Sequence, residues 1–435
     1  MPQSHEQRAA RAKQRAFLIA VLDEGDDLDE LRELLRTAGV AVVGQTVQHR
    51  DRAHPNFYLG PGKIEEVKEA LKRADANLVA ANDELTPRQE RTLEKELGVP
   101  VIDRTAIVLD IFADHAATAE GKLQVELAQL EYNLGRLRGL WTHLDSLAGG
   151  IGAAGGGAAT RGPGERQIEI DRRLARDRIS ALRRRLGEVS ASRAVMRAER
   201  ERAHLPQVAL AGYTNAGKST LLNALTGANV GVRDRLFHTL DPSTRSARLS
   251  GRQFLFTDTV GFIRKLPHQL VEAFGATLEE TRLADLVLHV VDASQDEDEM
   301  LEMVRAVEDV LEEIGAAERP AVLVLNKADL LTDDRRRELG HRHPDAVLVS
   351  AVTGEGLDGL RERVEAEFER TLRPMELLLP YAEGGRLAEL HDLAGDMERE
   401  DTAEGVLVRA NVPAGVAERF AEWSTANGAN GARKR

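Results

Sequence analysis

The stretch GYTNAGKST, residues 212–220, carries the residue types needed to hold the phosphates of a nucleotide. The apolar segment QVALAG, a predicted strand, ends at the first glycine of this stretch. The segment LLNALTG, a predicted helix, begins directly after the stretch, so the loop lies between a strand and a helix. Backbone amides there turn toward the phosphates, Lys218 reaches the β- and γ-phosphates, and the Ser219 hydroxyl is available to Mg²⁺. The predicted phosphate loop comprises Gly212, Tyr213, Thr214, Asn215, Ala216, Gly217, Lys218, Ser219 and Thr220.

A second predicted strand, QFLFTD, ends in a carboxylate that is followed by a small loop, DTVG. Asp258 is expected to hold Mg²⁺ through water, and the amide of Gly261 to detect the γ-phosphate. Thr259 and Val260 complete this predicted contact with the nucleotide.

The segment LFHTLDPSTR lies between the phosphate-loop helix and DTVG, where a switch residue is expected to join Mg²⁺ and the γ-phosphate. We predict that this residue is Thr239, with Thr244 as the alternative. The predicted magnesium ligands are Ser219, Thr239 and Asp258. The predicted catalytic residues are Lys218, Thr239, Gly261 and Asn215.

A third motif, NKAD, ends the apolar strand AVLVLNKAD and predicts which base is bound. The carboxylate of Asp329 can pair with the N1 and N2 hydrogens of guanine, a donor pair that adenine lacks, which disfavours an ATPase or nucleotide kinase. Backbone amides at Ser350 and Ala351, after a further apolar strand, would line the O6 side of the base. The residues predicted to surround the base are Asn326, Lys327, Asp329, Ser350, Ala351 and Val352.

Phe262 directly follows DTVG, at the position where Ras-like proteins keep the glutamine that orients the attacking water. A phenyl ring cannot orient water, so slow intrinsic hydrolysis is expected, completed by a partner or another residue. Asn215 has two possible roles: it holds K⁺ against the phosphates, or it braces the loop by hydrogen bonding. Mg²⁺ is the expected cofactor, and K⁺ remains open.

The length and composition of the chain limit the number of domains and the kinds of site that it can contain. The chain has 435 residues, 42% of them hydrophobic, which predicts about three domains. A net charge of −13 argues against a protein that coats nucleic acid over its whole surface. With no cysteine there is no disulfide, thiolate metal site or cysteine nucleophile. The six-residue apolar run FLIAVL is too short for a signal peptide or membrane span, so the expected compartment is the cytoplasm, with partial membrane association left open.

Before the phosphate loop, strands alternate with helices over about residues 16–115, which predicts a small α/β domain with a largely parallel sheet. Thr86 is a predicted helix cap with Pro87 at the first helical position. GPGK, residues 60–63, lacks the Ser or Thr of a phosphate loop and is interpreted as a loop and helix start.

Leu123, Leu127, Leu130, Leu134 and Leu137 are alternately four and three residues apart, a coiled-coil repeat that predicts one long helix over residues 118–147. A second run on the same repeat extends from Ile168 through Ile179 to Leu186 and beyond. Two adjacent long helices predict an antiparallel hairpin. The stretch GGIGAAGGGAATRGPG lies at its tip, without a preceding strand or a following GK[ST], so it is not a phosphate loop. It is either a linker or a mobile probe that becomes ordered on a partner.

The second helix is rich in arginine, with thirteen Arg against seven Asp and Glu between Arg161 and Arg202. A solvated helix face is the ordinary explanation, but such faces usually balance their charges. The alternative that we favour is contact with the phosphates of RNA. The hypothetical RNA contacts are Arg161, Arg166, Arg172, Arg173, Arg183 and Arg184.

The sequence therefore predicts a multidomain α/β protein: an N-terminal α/β domain with a long antiparallel helical hairpin, a central P-loop domain with a mostly parallel sheet, and a small C-terminal α+β domain. The predicted segments are residues 1–115, the hairpin 116–204 with its tip 148–164, the P-loop domain 205–372, the α+β unit 373–425 and a disordered tail 426–435.

The chain resembles the HflX family of ribosome-associated GTPases along nearly its whole length. The resemblance rests on NDELTPRQERTLEKEL, VIDRTAIVLDIFADHA, EGKLQVELAQLEYNL, RGPGERQIEIDRR, GYTNAGKSTLLNALTG, DTVGFIRKLPHQLVEAF and NKADLL. A hydrophobic residue in place of the catalytic glutamine is also typical of the family. Two features depart from it: the additional AAGGGAAT in the tip, and Arg166 where Thr is usual.

The resemblance implies binding of GTP and GDP, and GTP-dependent binding to the large ribosomal subunit and its rRNA, with the hairpin directed toward the peptidyl-transferase region. It also implies splitting of stalled or idle ribosomes and hydrolysis stimulated by the ribosome. A monomer is expected. The alternative is an RNA-binding or assembly module in which nucleotide acts as a conformational switch with little turnover.

Overall fold

A computed structural model of the chain describes residues 14–23, 27–148, 163–202, 205–228, 236–237, 242–265, 267, 270–271, 274–370, 372–394, 397–413 and 417–425. Thr239, Arg161, nearly all of the glycine-rich tip and the predicted tail lie outside these residues, as does the side chain of Arg166. The chain forms two compact units. The first comprises Met1–Val189, Asp234–Asp241 and Lys265–Gly275, and the second Ser190–Arg233, Pro242–Arg264 and Ala276–Arg435.

The first unit contains the predicted parallel sheet, with four helices between and after its strands. The strands are β1 (Arg15–Leu22), β2 (Ala41–His49), β3 (Leu78–Ala81) and β4 (Val101–Asp103), and the helices α1 (Asp29–Thr37), α2 (Pro61–Ala74), α3 (Pro87–Leu97) and α4 (Arg104–His115). In the described part of this unit the strands pair in the order β2-β1-β3-β4, all parallel. Thr86 and Gln89 form a capping box at the start of α3, and α2 begins within GPGK.

The hairpin helices are α5 (Ala119–Ala148) and α6 (Pro163–Arg202). Their described seam buries Leu127, Ile179 and Leu182. Leucines predicted from the repeat, Leu123, Leu130, Leu134 and Leu186, pack against these three. The spacing of four and three residues thus marked the contact face correctly.

A buried carboxylate at the end of β4 accepts hydrogen bonds from α5, the first helix of the hairpin, and so connects this helix to the sheet. Asp103, 1% exposed, caps α4 and accepts hydrogen bonds from the Tyr132 hydroxyl at 2.7 Å and from Arg136 Nη2 at 2.5 Å. The Leu85 amide also donates to it at 3.0 Å. Because the charge is buried, these donors replace the water that Asp103 has lost.

The second unit contains a sheet whose described strands pair in the order β10-β9-β8-β5-β7-β6, parallel except for β6. Its strands are β5 (Gln207–Gly212), β6 (Ser243–Leu249), β7 (Arg252–Asp258), β8 (Leu286–Asp292), β9 (Ala321–Asn326) and β10 (Val347–Leu348). The helices of this region are α7 (Lys218–Thr226), α8 (Gly275–Leu283), α9 (Glu297–Glu313), α10 (Asp333–Arg342) and α11 (Leu357–Glu369). Because the parallel strands share one direction, the loops that follow β5, β7, β8, β9 and β10 meet at one edge.

The C-terminal part has an antiparallel sheet, ordered β11-β13-β12 within the described residues. Its elements are β11 (Leu372–Leu379), α12 (Gly384–Ala394), β12 (Met397–Asp401) and β13 (Val406–Pro413). A 3₁₀-helix covers Glu418–Trp423. The predicted fold class is confirmed. Over the ranges that the structure covers, no helix is long and apolar enough to cross a membrane.

Candidate nucleotide-binding site

The predicted phosphate loop joins β5 to α7, as its sequence context requires. Two of its residues adopt left-handed backbone angles, Asn215 at φ 59° and Gly217 at φ 92°. A side chain on Gly217 would place its Cβ 2.3 Å from Asn326 Nδ2, so only glycine fits there. The loop can therefore turn tightly while its amides remain at the start of α7, the arrangement that binds phosphate.

Lys218 is buried at the first position of α7 and is 6% exposed. Its Nζ donates hydrogen bonds to the carbonyl oxygens of Gly212 at 2.9 Å and Tyr213 at 2.8 Å. Burial lowers the pKa of Lys218 to about 8, and the charge of Asp258 opposes this shift. A phosphate would supply the anionic partner that such a buried ammonium favours.

The predicted ligands Ser219 and Asp258 lie together at the ends of α7 and β7. Ser219 Oγ donates to Asp258 Oδ2 at 2.5 Å, and Asp258 is fully buried. Thr259 Oγ1 donates to the Leu210 carbonyl at 2.7 Å, which fixes the loop that follows β7 to the neighbouring strand β5. A hydroxyl and a carboxylate are thereby presented at one point beside the phosphate loop.

The DTVG loop also lies directly on the phosphate loop. The Thr214 amide donates to the Phe262 carbonyl at 2.8 Å, and the Phe262 amide donates to the Gly212 carbonyl at 3.1 Å. A Cβ on Gly261 would lie 2.8 Å from Thr214 Cγ2, so a larger residue cannot approach as closely. Phe262 itself is fully buried and takes no part in the polar surface of the site.

The guanine motif is brought together with the loop that follows β10. Ser350 Oγ donates to Asp329 Oδ1 at 2.5 Å. Ser350 is fully buried, whereas Val352 is 78% exposed. NKAD and SAV, far apart in sequence, therefore form one surface at the strand ends.

Asn326 has a bracing role that the sequence motif alone did not reveal. Its Nδ2 donates to the Ala216 carbonyl at 2.8 Å, and its Oδ1 accepts from the Ala351 amide at 3.0 Å. One buried amide side chain, 2% exposed, thus connects the phosphate loop to the base-binding loop.

Two further polar residues at this edge were missed by sequence reasoning. Asp292 ends β8 and accepts a hydrogen bond from Lys327 Nζ at 2.6 Å. The signal was present, because a carboxylate at the end of an apolar strand, LVLHVVD, repeats the pattern of QFLFTD. His289, in the same strand, is buried, and desolvation followed by the charge of Lys218 lowers its pKa to about 4. It is therefore neutral near neutral pH.

The hypothetical RNA contacts are only partly described. Arg173, Arg183 and Arg184 are all exposed on α6. Arg173 lies 4.0 Å from Asp177 of the same helix, and Arg183 forms an ion pair of 2.8 Å with Glu131 of α5. Arg172 is half-buried, and its Nε has no hydrogen-bond partner among the described residues. The arginine excess thus serves partly to join the two helices.

Three family models match consecutive parts of the chain. Residues 25–113 match the model described as GTP-binding GTPase N-terminal, and residues 115–200 the one described as GTP-binding GTPase Middle Region. Residues 207–327 match the model of a 50S ribosome-binding GTPase. The matched ranges therefore cover most of the described chain.

Among solved structures, an SsGBP and GDP complex is similar at 24% identity and a TM-score of 0.43, over 81% of this chain and 98% of its own. A GTP-binding protein from the hyperthermophilic archaeon Sulfolobus solfataricus in complex with GDP is 25% identical, with the same coverages and a TM-score of 0.40.

Curated relatives are more similar. A GTPase HflX from Lacrimispora saccharolytica is 45% identical over 408 residues, which span 92% of this chain and 94% of the relative. A GTPase HflX from Escherichia coli K12 is 44% identical, over 88% of this chain and 89% of the relative. This identity, sustained along nearly the whole length of both proteins, shows that the chain belongs to the HflX family of GTPases.

Proposed function

We propose that this GTPase binds the large ribosomal subunit in its GTP state, splits or rescues stalled or idle ribosomes, and leaves when GTP has been hydrolysed to GDP and phosphate. The observation that carries the proposal is the match of residues 207–327 to a 50S ribosome-binding GTPase. This range contains the phosphate loop, DTVG and the first two residues of NKAD, Asn326 and Lys327. The proposed compartment is the cytoplasm, and the proposed active form is a monomer.

In this proposal guanine is recognised by Asp329, and the buried Lys218 contacts the β- and γ-phosphates. The short contact of Asp329 with the Ser350 hydroxyl supports the first role, because it positions the carboxylate beside the SAV loop. The lowered pKa of Lys218 supports the second, because a buried ammonium favours an anion.

The same edge fits Mg²⁺ chemically. The Ser219 hydroxyl and the Asp258 carboxylate are hard oxygen donors and already lie within hydrogen-bonding distance. Bound Mg²⁺ would neutralise charge on the β- and γ-phosphates. Thr239 is proposed as a further oxygen donor, and Asn215, exposed in the phosphate loop, as the residue that holds K⁺.

Hydrolysis is proposed to be stimulated by the ribosome. Phe262 has replaced the water-orienting glutamine and is fully buried, so its side chain supplies nothing to the attacking water. A partner that positions Thr239 against the γ-phosphate would trap this water, while the contacts of Phe262 hold its ring away from the site.

The hairpin is proposed to contact rRNA through exposed arginines. Arg173, whose side chain is 84% exposed, and Arg184 project from α6 and are available to phosphates. Counterion release from RNA would then provide much of the binding free energy.

Co-sedimentation tests the proposal. Purified large and small ribosomal subunits are centrifuged with the protein in a non-hydrolysable GTP analogue or in GDP, and Lys218→Ala serves as the variant deficient in triphosphate binding. We expect the protein to pellet with large subunits only in the presence of the analogue. When intact ribosomes are used instead of separate subunits, we expect the protein with the analogue to dissociate them into subunits on a sucrose gradient. Equal binding in GDP, or binding to small subunits alone, would refute the proposal.

A further inference from the structure

The proposed base-binding edge is made of two loops that follow neighbouring parallel strands. The first is NKAD, residues 326–329, at the end of β9, and the second, which we call the SAV loop, comprises residues 349–356 after β10. The loops contact each other directly: the Ala328 amide donates to the Val349 carbonyl at 3.0 Å, and Ser350 Oγ donates to Asp329 Oδ1 at 2.5 Å. The position of the Asp329 carboxylate therefore depends on the spacing between the two loops.

The SAV loop is a closed turn centred on Ser350. The Gly354 amide donates to the Ser350 carbonyl at 2.9 Å, and the Ser350 amide donates to the Glu355 carbonyl at 2.9 Å. The Ser350 hydroxyl, which donates to Asp329, also accepts a hydrogen bond of 3.1 Å from the Thr353 amide. The position of Glu355 is thus coupled to that of Ser350, and through Ser350 to the carboxylate of Asp329.

Arg336, on the neighbouring helix α10, bonds to both loops. Its two terminal nitrogens donate to the two oxygens of Glu355, with the bond from Nη2 at 3.2 Å. The same Nη2 donates to the Ala328 carbonyl at 2.6 Å. A planar guanidinium holds a carboxylate in this two-point geometry, whereas the ammonium of a lysine does not. One side chain outside the GTPase motifs therefore connects the backbone of NKAD to the SAV loop.

Helix α10 presents Arg336 from a fixed backbone. Thr332 caps the helix, because its hydroxyl accepts a hydrogen bond from the Arg335 amide at 3.3 Å, and the Arg336 amide donates to the Thr332 carbonyl at 3.0 Å. Leu339, in the same helix and 1% exposed, packs in one buried cluster with Leu325 of β9. The guanidinium is thereby anchored to the strand that leads into NKAD.

We infer that Arg336 and Glu355 form a clamp that fixes the spacing of the two loops and so determines how strictly Asp329 selects guanine. Arg336 is then a positioning residue for base selection and does not itself contact the nucleotide. The inference rests on the proposed recognition of guanine by Asp329 and extends it to a residue outside the motif. Hydrogen bonds weaken steeply as their geometry departs from linear, so a carboxylate that shifts cannot hold the N1 and N2 hydrogens together.

Hypoxanthine is the informative base, because it keeps the N1 hydrogen of guanine and lacks the 2-amino group. With the clamp intact, Asp329 accepts two hydrogens from guanine and one from hypoxanthine, so GTP is preferred to inosine triphosphate. A site built to hydrogen-bond a group of its ligand discriminates strongly against the analogue that lacks this group. Without the clamp the pair of hydrogen bonds is lost as a pair, and the preference for GTP falls.

Competition titrations on the full chain test the clamp. GTP, GDP and inosine triphosphate displace a fluorescent GDP analogue from the parent protein and from Arg336→Gln, which removes the two-point contact. We expect the affinities for GTP and GDP to fall about tenfold, the size of one hydrogen bond to a charged group, and that for inosine triphosphate about twofold. The preference for GTP over inosine triphosphate then falls about fivefold. The ratio of GTP to GDP affinity should stay the same, because both nucleotides carry guanine.

Arg337→Gln is the matched control, since Arg337 lies on the same helix, carries the same charge and pairs with Asp334 at 2.5 Å. It should leave all three affinities unchanged. The double variant Arg336→Gln/Glu355→Gln should match Arg336→Gln, because both changes remove the same contact. Should Arg336→Gln lower the melting temperature, Glu355→Gln carries the test, because the side chain of Glu355 is 46% exposed. It should also lower the preference for GTP over inosine triphosphate.

Asp329→Asn in the same titration separates failure of the clamp from failure of the proposed base recognition. If Asp329→Asn leaves GTP affinity unchanged, both are refuted. If it weakens GTP binding while Arg336→Gln and Glu355→Gln leave the preference for GTP over inosine triphosphate unchanged, the clamp alone is overturned, whatever the change in overall affinity.

Discussion

The nucleotide site and the arginine-rich helix α6 use polar residues in opposite ways. At the nucleotide site the polar side chains are buried, with Asp258 at 0%, Asn326 at 2% and Lys218 at 6% exposure, and each forms a hydrogen bond with another group of the site. On α6 the side chains of Arg173 and Arg183 are 84% and 63% exposed. Buried polar groups must find partners within the chain, whereas exposed charges need none.

This difference separates what a sequence can predict from what it cannot. Burial restricts residue type and spacing, so GKST, DTVG and NKAD each indicate one geometry. An exposed arginine is compatible with water, with a carboxylate on the next helix or with a phosphate. Arg183 was predicted to contact RNA and also pairs with Glu131, a partner that linear spacing does not reveal.

The largest effect is expected from removing the buried ammonium. Lys218→Ala should weaken GTP binding by about 100-fold or more, because loss of a desolvated charge partner typically costs about 2–5 kcal/mol. Titration with a fluorescent GTP analogue measures this. Lys63→Ala, on α2 and paired with Glu66, is the control and should leave affinity unchanged. Retained binding in Lys218→Ala would move the phosphate site elsewhere.

The next effect concerns the choice of base. Asp329→Asn should reduce GTP affinity by about 100-fold, because a site built to hydrogen-bond its ligand strongly rejects a mismatch. Xanthosine triphosphate, which presents an acceptor where guanine has a donor, should bind the variant better than GTP. Asp334→Asn, an acid with a side chain 90% exposed, is the control. If GTP affinity is unchanged in a competition titration, NKAD does not bind the base.

Long-range arrangement was harder to predict than local structure. The capping box at Thr86, the leucine seam and the strands before each motif follow from patterns within a few residues. The bond from Asn326 to Ala216 spans 110 positions, and that from Lys265 to Asp83 spans 182. Such pairs depend on strand order and on segments leaving one unit for another, which no local pattern encodes.

Substitution of the exposed arginines on α6 is expected to have a smaller effect, on the salt dependence of binding to large subunits. Binding to large subunits should weaken as salt increases, and Arg173→Gln and Arg184→Gln should each flatten the slope of log affinity against log salt by about 0.9 or less. Arg183→Gln should change it less, because Glu131 already engages part of its charge. Sedimentation at several KCl concentrations gives the slopes. A salt-independent affinity would favour an ordinary solvated helix, and equal slopes for all variants would exclude these arginines as contacts.

The smallest effect distinguishes the two roles of Asn215. Its side chain is exposed, and its left-handed φ of 59° is one that asparagine adopts more readily than most residues. This conformation alone accounts for an asparagine that braces the turn.

If Asn215 instead holds K⁺ against the phosphates, the cation stabilises charge that develops in the transition state. GTP turnover on isolated large subunits should then be about tenfold faster in K⁺ than in Na⁺, equivalent to about 1.4 kcal/mol. Asn215→Ala should abolish this preference, and so should Asn215→Gly, which removes the amide without straining the backbone. Equal rates in both salts would leave the bracing role alone. A K⁺ preference that persists in both variants would assign the cation to another residue.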